Sequence, residues 1–384
     1  MSMRKNDLTV AEKKRKIKSS NKSFLKKFKL EDNPSVKIGI LSENEDIGNI
    51  EQFKTGNIAI DVLTGGFFLG LINVVYGGPG SSKSTTIRDM VAYTQKEYDA
   101  VALYMNQEKT MDREYWEQGN VDLSMLEVGE FETTEQSLDL CNKAATGEHP
   151  VDILIVDTLQ ALSPEGELYK GKDQKSTSDN TMALLPRLYS QFLRMYTSAN
   201  TGLTTILVSQ IRTAGIGSGM AFDGMTGGNA IKHYCHMILK LTKSDSTTAW
   251  PYSVPKLPPN SFVVNYKIDR IKGASRYKGL TIRGYFYKGK LDRRFNIIAI
   301  GKDLGLHDGK TFSYPDTDGA MIEYKARGLK EMIESEKRGL PLEAVNYLET
   351  LLEPKFLEIA NKDVGNIANE DDDVENIDMS VLDD

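Results

Sequence analysis

The segment Gly77-Gly78-Pro79-Gly80-Ser81-Ser82-Lys83-Ser84 decides the fold of this chain. It joins an apolar run at residues 71–76, a predicted strand, to a helical pattern over residues 84–95. Backbone N–H groups of such a turn, at the N-terminus of a helix, face bound anions. In this arrangement, called a P-loop, Lys83 reaches the β- and γ-phosphates of a nucleotide and the Ser84 hydroxyl joins a Mg²⁺ ion.

One position departs from the usual P-loop pattern. The residue directly before the lysine is ordinarily glycine, but here it is Ser82, which has less freedom at positive φ. A glycine-rich turn without a ligand is the alternative, and the strand before the loop and the helix after it disfavour that alternative. We therefore predict that ATP and Mg²⁺ bind here, with the nucleotide held by the eight residues of the motif and by Thr85.

Strands and helices alternate on both sides of this loop. Near-continuous apolar runs at residues 100–105, 151–156 and 204–209 are typical of strands buried on both faces. Helical patterns end near residue 145 and cover residues 181–198. This order predicts an α/β fold with a mainly parallel central sheet. From residue 263 to residue 300, β-rich runs alternate with glycine turns, which predicts hairpins added to that sheet.

Two carboxylates follow predicted strands. Asp157 comes directly after the run at residues 151–156, and Glu108 lies just beyond the run at residues 100–105. An acid at the C-terminal end of a parallel strand beside a P-loop can hold Mg²⁺ through water. A second carboxylate at the same edge can orient a water molecule against the γ-phosphate. We predict these two roles for Asp157 and Glu108 respectively.

The composition excludes several classes of protein. With a net charge of −6 over 384 residues, the chain cannot bind nucleic acid through its overall charge. Its two cysteines, Cys141 and Cys235, make no disulfide framework, and its four scattered histidines make no metal site. No apolar run reaches the length of a membrane span and no secretory signal is present, so we predict a cytoplasmic protein.

The two ends of the chain carry opposite charges. Residues 1–30 hold eleven lysines and arginines against two acids, and residues 370–384 hold eight acids and no base. Runs of like charge with few apolar residues are typical of solvated tails, so we predict a tail at each end.

Five ordered blocks between about residue 24 and residue 357 resemble the RecA-type recombinase family. Ser82 in the P-loop favours a phage-encoded, UvsX-like member of that family. Residues 55–61, followed by glycines at 65, 66 and 70, are similar to the family's entry into the core, and the P-loop follows. The remaining blocks are residues 108–115, residues 156–164, and residues 209–212 with 226–232 around a second DNA-binding loop. The resemblance implies four parts: a basic tail and oligomerisation segment at 1–48, a RecA-like P-loop ATPase core at 49–300, a small α/β domain at 301–360 and a disordered acidic tail at 361–384.

The resemblance assigns roles around the nucleotide. It implies that Glu108 is the catalytic glutamate and that Asp112 and Tyr115 flank the adenine. It also implies that Gln210 senses the γ-phosphate. As cross-interface cations, Lys232 and Arg270 would approach the ATP of a neighbouring subunit, although Lys267 or Lys272 could be aligned in place of Arg270.

The resemblance also assigns DNA contacts. On one predicted helix, Arg187 and Arg194 stand seven residues apart near DNA phosphates, and Pro186 starts that helix. Residues 211–228 contain six glycines and only two charges, which predicts a flexible segment that contacts bases rather than phosphates. The DNA-binding residues predicted there are Arg212, Met220, Phe222, Gly227, Gly228 and Asn229.

These residues together predict an ATP-dependent DNA strand-exchange protein that forms helical filaments on single-stranded DNA. Its segments at 23–28 and 36–41 would dock on the adjacent protomer, and its C-terminal domain would gate duplex DNA. Single-strand-binding and loader proteins are possible partners. Two alternatives stay open: a hexameric helicase-type motor on the same fold, and a filament or mediator protein that hydrolyses ATP weakly because of Ser82.

Overall fold

A mainly parallel β-sheet forms the centre of the protein. The computed structural model describes residues 50–170, 173–174, 184–214, 222–225, 228–272 and 278–371. The predicted N-terminal docking segment, Met220, Gly227 and the acidic residues after 371 lie outside them. Among the described helices, none is long and apolar enough to cross a membrane.

The fifteen described strands are numbered in chain order: β1 Gln52–Phe53, β2 Phe67–Phe68, β3 Ile72–Gly77, β4 Ala102–Asn106, β5 Leu126–Gly129, β6 Ile153–Asp157, β7 Tyr169–Lys170, β8 Asp173–Gln174, β9 Thr204–Ala214, β10 Phe222–Met225, β11 Met237–Ser244, β12 Phe262–Ile271, β13 Thr281–Phe286, β14 Thr311–Pro315 and β15 Met321–Lys325. The ten described α-helices are α1 Ile58–Thr64, α2 Lys83–Tyr98, α3 Arg113–Gln118, α4 Thr134–Ala145, α5 Glu165–Leu168, α6 Leu184–Ala199, α7 Gly228–Tyr234, α8 Arg293–Asp303, α9 Leu329–Glu334 and α10 Leu342–Asp371.

The sheet order brings sequence-distant strands together. Its strands follow the order β13-β12-β11-β3-β9-β6-β4-β5, and β10 pairs with β9 outside this path. All neighbours from β11 to β5 are parallel, whereas β12 and β13 are antiparallel additions. The predicted α/β class with a mainly parallel central sheet is confirmed. Because parallel neighbours need crossover connections, helices cover the sheet and the strands read as apolar runs.

Two apolar layers cover the two faces of the sheet. Along β3 the side chains alternate, so Val75 belongs to one buried cluster while Val74 and Tyr76 belong to the other. Val74 and Val75 are both fully buried, and burial of a side chain of this size contributes about 1.5–3 kcal/mol. This packing fixes the strand ends, where the P-loop and the predicted carboxylates lie.

The hairpins predicted over residues 263–300 are only partly right. Strands β12 and β13 do form an antiparallel hairpin on the sheet, but Arg293–Asp303 is the helix α8. The Asp292 carboxylate caps this helix by accepting a hydrogen bond from Phe295 N at 2.7 Å. The Asn296 side chain bonds both backbone groups of Tyr285, at 2.7 and 2.8 Å. Capping and tertiary contacts therefore outweigh the β-branched composition of the segment.

The chain after residue 300 packs on the same apolar layer as the core. Leu348, Leu352 and Phe356 of α10 are buried in the cluster that also contains Phe53 and Ile60. The described residues from Gln52 onward belong to one compact unit, so residues on both sides of the predicted boundary at 300 share one core. Helix α10 also continues to Asp371, beyond the predicted start of a disordered tail at 361. Extending an anchored helix costs little, because only its nucleation is unfavourable.

A half-buried histidine just before β11 gives the fold a predicted pH dependence. His236 Nδ1 is buried with no hydrogen-bond partner among the described residues. Burial, assisted by the charge of Lys272, lowers the pKa of His236 to about 4. An unfolded histidine with a pKa near 6.5 takes up a proton first, so the free energy of unfolding falls as pH drops from about 6.5 toward 4.

We expect His236→Gln to reduce this acid-side loss of stability. Urea unfolding midpoints at pH 7.5 and pH 5 measure this loss of stability in parent and variant. Carboxylates titrate equally in both proteins, so the difference between the two proteins reports the contribution of His236. The exposed His233 on α7 supplies the matched control, His233→Gln. An equal loss of stability in parent and His236→Gln would contradict the prediction.

Candidate active site

The P-loop has the strand–turn–helix setting that the sequence predicts. It leaves β3 at Gly77 and enters α2 at Lys83. A Cβ on Gly77 would lie 2.4 Å from both Leu241 O and Ser81 Oγ, so only glycine fits there. At Gly78 and Gly80, by contrast, a Cβ would meet no atom within 4 Å. The loop is therefore tightly packed at its base and open on its outer side.

Ser82 occupies the position that the sequence pattern marks as unusual. Its φ of 67° and ψ of 26° lie in the left-handed region, where serine is less stable than glycine. The loop thus keeps the backbone shape that its lysine and helix require, at a cost in local strain.

Lys83 points into the loop that it follows. Its ammonium donates to Gly77 O at 3.0 Å and to Gly78 O at 2.9 Å, and Ser81 Oγ lies at 3.5 Å. Burial lowers the pKa of Lys83, and the charges of Asp157 and Glu108 oppose that change. The ammonium is therefore held beside the open face of the loop, between neutral oxygens and two carboxylates.

Asp157 and Ser84 come together at the end of β6. The Ser84 hydroxyl donates to Asp157 Oδ2 at 3.3 Å, and the Tyr104 hydroxyl donates to the same oxygen at 2.6 Å. Burial raises the pKa of Asp157, while the hydrogen bond from Tyr104 acts in the opposite direction. Tyr104 is itself buried, with its ring edge-on to Trp116 at a centroid distance of 4.9 Å.

The residues present fit a nucleotide with Mg²⁺. An open P-loop, a buried ammonium and a paired hydroxyl and carboxylate supply anion and cation contacts within one short stretch. Among the described residues, no three His, Cys, Asp or Glu side chains form a metal cluster. Mg²⁺ commonly binds one or two protein oxygens together with substrate phosphates and waters, which this set allows.

Tyr104→Phe tests whether the Tyr104 hydroxyl supports the Asp157 carboxylate as part of a Mg²⁺ site. We expect the Mg²⁺ concentration for half-maximal nucleotide binding to rise about tenfold, because groups that orient a metal ligand commonly alter metal affinity by 10–100-fold. Titration of a fluorescent ATP analogue with Mg²⁺ measures it. Tyr189→Phe is the matched control, since the buried Tyr189 hydroxyl has no hydrogen-bond partner among the described residues. An unchanged Mg²⁺ requirement in Tyr104→Phe would show that the hydroxyl does not support the carboxylate.

Glu108 is held from two sides just beyond β4. Thr158 Oγ1 and Gln210 Nε2 both donate to Glu108 Oε1, each at 2.9 Å. Three parallel strands therefore bring residues to one carboxylate: Glu108 follows β4, Thr158 follows β6, and Gln210 lies in β9 where its parallel pairing with β3 ends. Two donors on a single oxygen fix the orientation of the carboxylate, as a base that must accept a proton from a positioned water requires.

The predicted adenine contacts lie at the start of α2 and of α3. Tyr115 donates its hydroxyl to Thr85 Oγ1 at 2.8 Å, and the Arg88 guanidinium carbon lies 4.3 Å from the centre of the Tyr115 ring. Asp112 caps α3 by accepting hydrogen bonds from Glu114 N and Tyr115 N, at 3.0 and 3.4 Å. The structure thus brings Tyr115 to Thr85 beside the P-loop, while Asp112 positions the helix that carries Tyr115.

The predicted cross-interface cations are not near the P-loop of their own chain. Lys232 is exposed on α7, which leads into the N-terminal end of β11. Arg270 pairs with Ile238 at that same end, whereas the P-loop follows the C-terminal end of the parallel neighbour β3. Arg270 and Lys272 both lie close enough to Cys235 to oppose the effect of burial, which raises the pKa of that thiol.

The predicted DNA-binding residues fall in three places. Arg187 and Arg194 are exposed on α6, whose opposite side is buried through Tyr189 and Phe192. The segment predicted to be flexible contains a β-hairpin, since 211–214 of β9 pair with β10. Arg212 is opposite Gly224 and Phe222 opposite Ala214, while Gly228 and Asn229 begin α7. Antiparallel pairing of β9 with β10 gives the backbone N–H and C=O groups of the two strands hydrogen-bond partners. This pairing outweighs the preference of glycine-rich segments for loops.

Three residues of this site escape the sequence patterns. Tyr104 reads as a core aromatic within a strand, and Thr158 carries only the weak signal of its place after Asp157. Gln160, whose side chain bonds Ser209 and Gln210, has no pattern at all. Their roles depend on neighbours that are distant in sequence.

Comparison with known proteins agrees with this geometry. The family model of the RecA N-terminal domain matches residues 26–256. Protein RecA of Thermotoga neapolitana is 30% identical over 293 residues, covering 74% of this chain and 79% of that protein. Protein RecA of Bacteroides thetaiotaomicron is 28% identical over 318 residues, covering 79% and 90%. Protein RecA of Mesomycoplasma hyopneumoniae is 29% identical over 286 residues, covering 72% and 80%.

The predicted resemblance is therefore confirmed by two independent kinds of match. The matched span contains the P-loop, Glu108, Asp157 and Gln210, which are the elements that the sheet brings together. Because the family model covers more than half of its 384 residues, this chain belongs to the RecA-type recombinase family.

Proposed function

We propose that this protein is an ATP-dependent DNA strand-exchange recombinase that polymerises on single-stranded DNA. One observation carries the proposal: the P-loop after β3, the supported carboxylate after β4 and Gln210 of β9 lie at one edge of the parallel sheet, and β9 continues from Gln210 into its pairing with β10. A nucleotide site joined directly to this pair of strands suits a protein whose binding to a polymer depends on ATP. The family membership of the chain supports the same proposal.

Nucleotide binding would use the open face of the P-loop. Backbone N–H groups of the loop would face the phosphates, and the Lys83 ammonium would turn from its loop carbonyls to them. Ser84 would contribute a metal ligand and Asp157 would support the metal, with Tyr104 orienting the carboxylate. Mg²⁺ held there would supply positive charge against the phosphates. Thr85, Asp112 and Tyr115 define the adenine side.

Hydrolysis would use Glu108 as the general base. Its carboxylate accepts one proton from the water whose oxygen forms the new bond to the γ-phosphorus, while the bond to the β–γ bridging oxygen breaks. Thr158 and Gln210 occupy one carboxylate oxygen and so orient the group. Proton transfer to a positioned side chain commonly contributes about 10²–10⁴-fold to the rate.

DNA binding would use the hairpin and the exposed side of α6. Arg187, Arg194 and Arg212 provide cations for phosphates. The apolar side chains of Met220 and Phe222 would stack on or insert between bases, and Gly227, Gly228 and Asn229 would contribute further DNA contacts. Only a few cations take part, so we expect a modest salt dependence of binding to single-stranded DNA.

Assembly into a helical filament would complete the site. Lys232 and Arg270 lie away from their own P-loop, as cations that act on the nucleotide of an adjacent subunit must. The N-terminal segment would dock on that neighbour, and residues 301–360 would gate duplex DNA. A cytoplasmic location and cooperation with single-strand-binding and loader proteins belong to the same proposal.

Electron microscopy with single-stranded DNA and a slowly hydrolysed ATP analogue tests the proposal. We expect helical filaments with DNA and analogue together, and none when Lys83→Ala replaces the parent protein. Closed rings would favour a hexameric helicase-type motor. Absence of any DNA-dependent assembly would contradict the proposed function.

A further inference from the structure

Gln160 lies where the segment after β6 runs beside β9. Leu159 N donates to Val208 O at 3.0 Å, so the two segments stay paired for two residues past the end of β6. The Gln160 side chain is half-buried and is directed at the next two residues of β9. It therefore lies between the strand that carries Asp157 and the strand that continues into the hairpin.

Both polar atoms of the Gln160 amide are used. Its Nε2 donates to Ser209 Oγ at 2.7 Å, and its Oε1 accepts from Gln210 N at 3.1 Å. Ser209 is fully buried, and its hydroxyl donates onward to Gln210 O at 3.3 Å. One side chain thus binds two consecutive residues of β9, which requires a donor and an acceptor at the same time.

Gln210 connects this contact to the carboxylate proposed as the base. Its Nε2 donates to Glu108 Oε1, which also accepts from Thr158 Oγ1. Thr158 and Gln160 belong to the same short segment after Asp157. Glu108 is therefore held on one side by that segment and on the other side by β9, and Gln160 ties these two supports to each other.

We propose that Gln160 is a positioning residue that transmits DNA binding at the hairpin to Glu108. This inference rests on the proposed function, in which DNA binds the hairpin of β9 and β10. A displacement of the hairpin reaches Gln210 through the backbone of β9. With Gln160 in place, β9 and residues 158–160 move together, so the displacement changes both donors to Glu108. Without it, Gln210 moves alone and the Thr158 contact is left behind.

A purely structural role for Gln160 makes a different prediction. If the amide only satisfies the Ser209 hydroxyl and the Gln210 N–H, its loss lowers the free energy of unfolding. The ratio of ATP hydrolysis with DNA to ATP hydrolysis without DNA would then stay the same. This ratio therefore separates transmission from stability.

The decisive variant is Gln160→Met, which keeps the length of the side chain and removes both hydrogen bonds. We expect the ratio of ATP hydrolysis at saturating single-stranded DNA to that without DNA to fall by about 2- to 30-fold, the range for residues that carry coupling between sites. Affinity for a fluorescent ATP analogue should stay within about twofold of the parent, since the P-loop is not touched. Gln136→Met, at an exposed position of α4, is the matched control and should keep the parental ratio.

Ser209→Ala supplies a second, independent variant. It removes the other partner of the Gln160 Nε2 hydrogen bond, so it should lower the same ratio, and the double variant should be no worse than Gln160→Met alone. This variant decides the matter if Gln160→Met does not fold. Parental ratios in Ser209→Ala and Gln160→Met would overturn the inference while leaving the proposed function intact. A parent protein whose ATP hydrolysis is not stimulated by DNA would overturn both.

Discussion

Replacing Glu108 with glutamine is expected to lower kcat for ATP hydrolysis by about 10²–10⁴-fold, the range for loss of a general base. Glutamine keeps the shape of the side chain, and its carbonyl oxygen can still accept from Thr158 and Gln210. What it lacks is a basic oxygen for the proton of the attacking water. Binding of ATP and of single-stranded DNA should persist, so filaments of this variant should form and then disassemble slowly.

Steady-state ATP hydrolysis and fluorescence titrations on the same preparation measure this result. Glu323→Gln on β15 is the matched control, because that exposed glutamate lies outside the site and changes the net charge equally. An unchanged kcat in Glu108→Gln would exclude Glu108 as the base. A parallel loss of nucleotide binding would show instead that its role is to maintain the site.

Lys83→Ala is expected to weaken ATP binding by about 10–100-fold. Hydrogen bonds from a charged donor contribute about 1.5–3 kcal/mol, and every 1.4 kcal/mol corresponds to a tenfold change in Kd. In the structure this ammonium is buried among the loop oxygens Gly77 O, Gly78 O and Ser81 Oγ. Alanine removes the cation and leaves the two carboxylates, Asp157 and Glu108, facing the phosphates without compensation.

Equilibrium titration with a fluorescent ATP analogue measures this effect. Lys96→Ala is the matched control on the same helix, because Lys96 is exposed and faces away from the loop. Normal ATP affinity in Lys83→Ala would contradict the assignment of residues 77–84 as a phosphate site. Reduced affinity with unchanged DNA-dependent assembly would separate nucleotide binding from filament formation.

Much of the fold could be predicted because parallel strands are buried on both faces. Each predicted run begins within two residues of the start of an observed strand; the runs are 71–76, 100–105, 151–156 and 204–209. Helix α8 was missed, because its isoleucines have a high β propensity in isolation. Its cap at Asp292 and the Asn296 contacts with β13 decide the outcome, and the latter are visible only in three dimensions.

Some residues of the candidate site could likewise be predicted from the sequence, and others could not. Lys83, Ser84 and Asp157 could be placed because each occupies a fixed position relative to a strand end. Tyr104 and Gln160 could not, because their contacts are made with residues about 50 positions away in the chain. The antiparallel pairing of residues 211–214 with 222–225 was also missed, since six glycines over residues 211–228 indicate a loop when strand pairing is unknown.

The order of strands across the sheet has a consequence for how the protein is made. Strand β3 lies between β9 and β11, so the P-loop strand gains its neighbours only after more than a hundred further residues have been synthesised. Contacts of such long sequence separation slow folding, because loop closure must come before the pairing that stabilises it. A nascent chain that ends before Gln210 lacks one of the two donors to Glu108. On the proposed function, the ability to hydrolyse ATP would therefore be acquired late, once β9 has left the ribosome and entered the sheet.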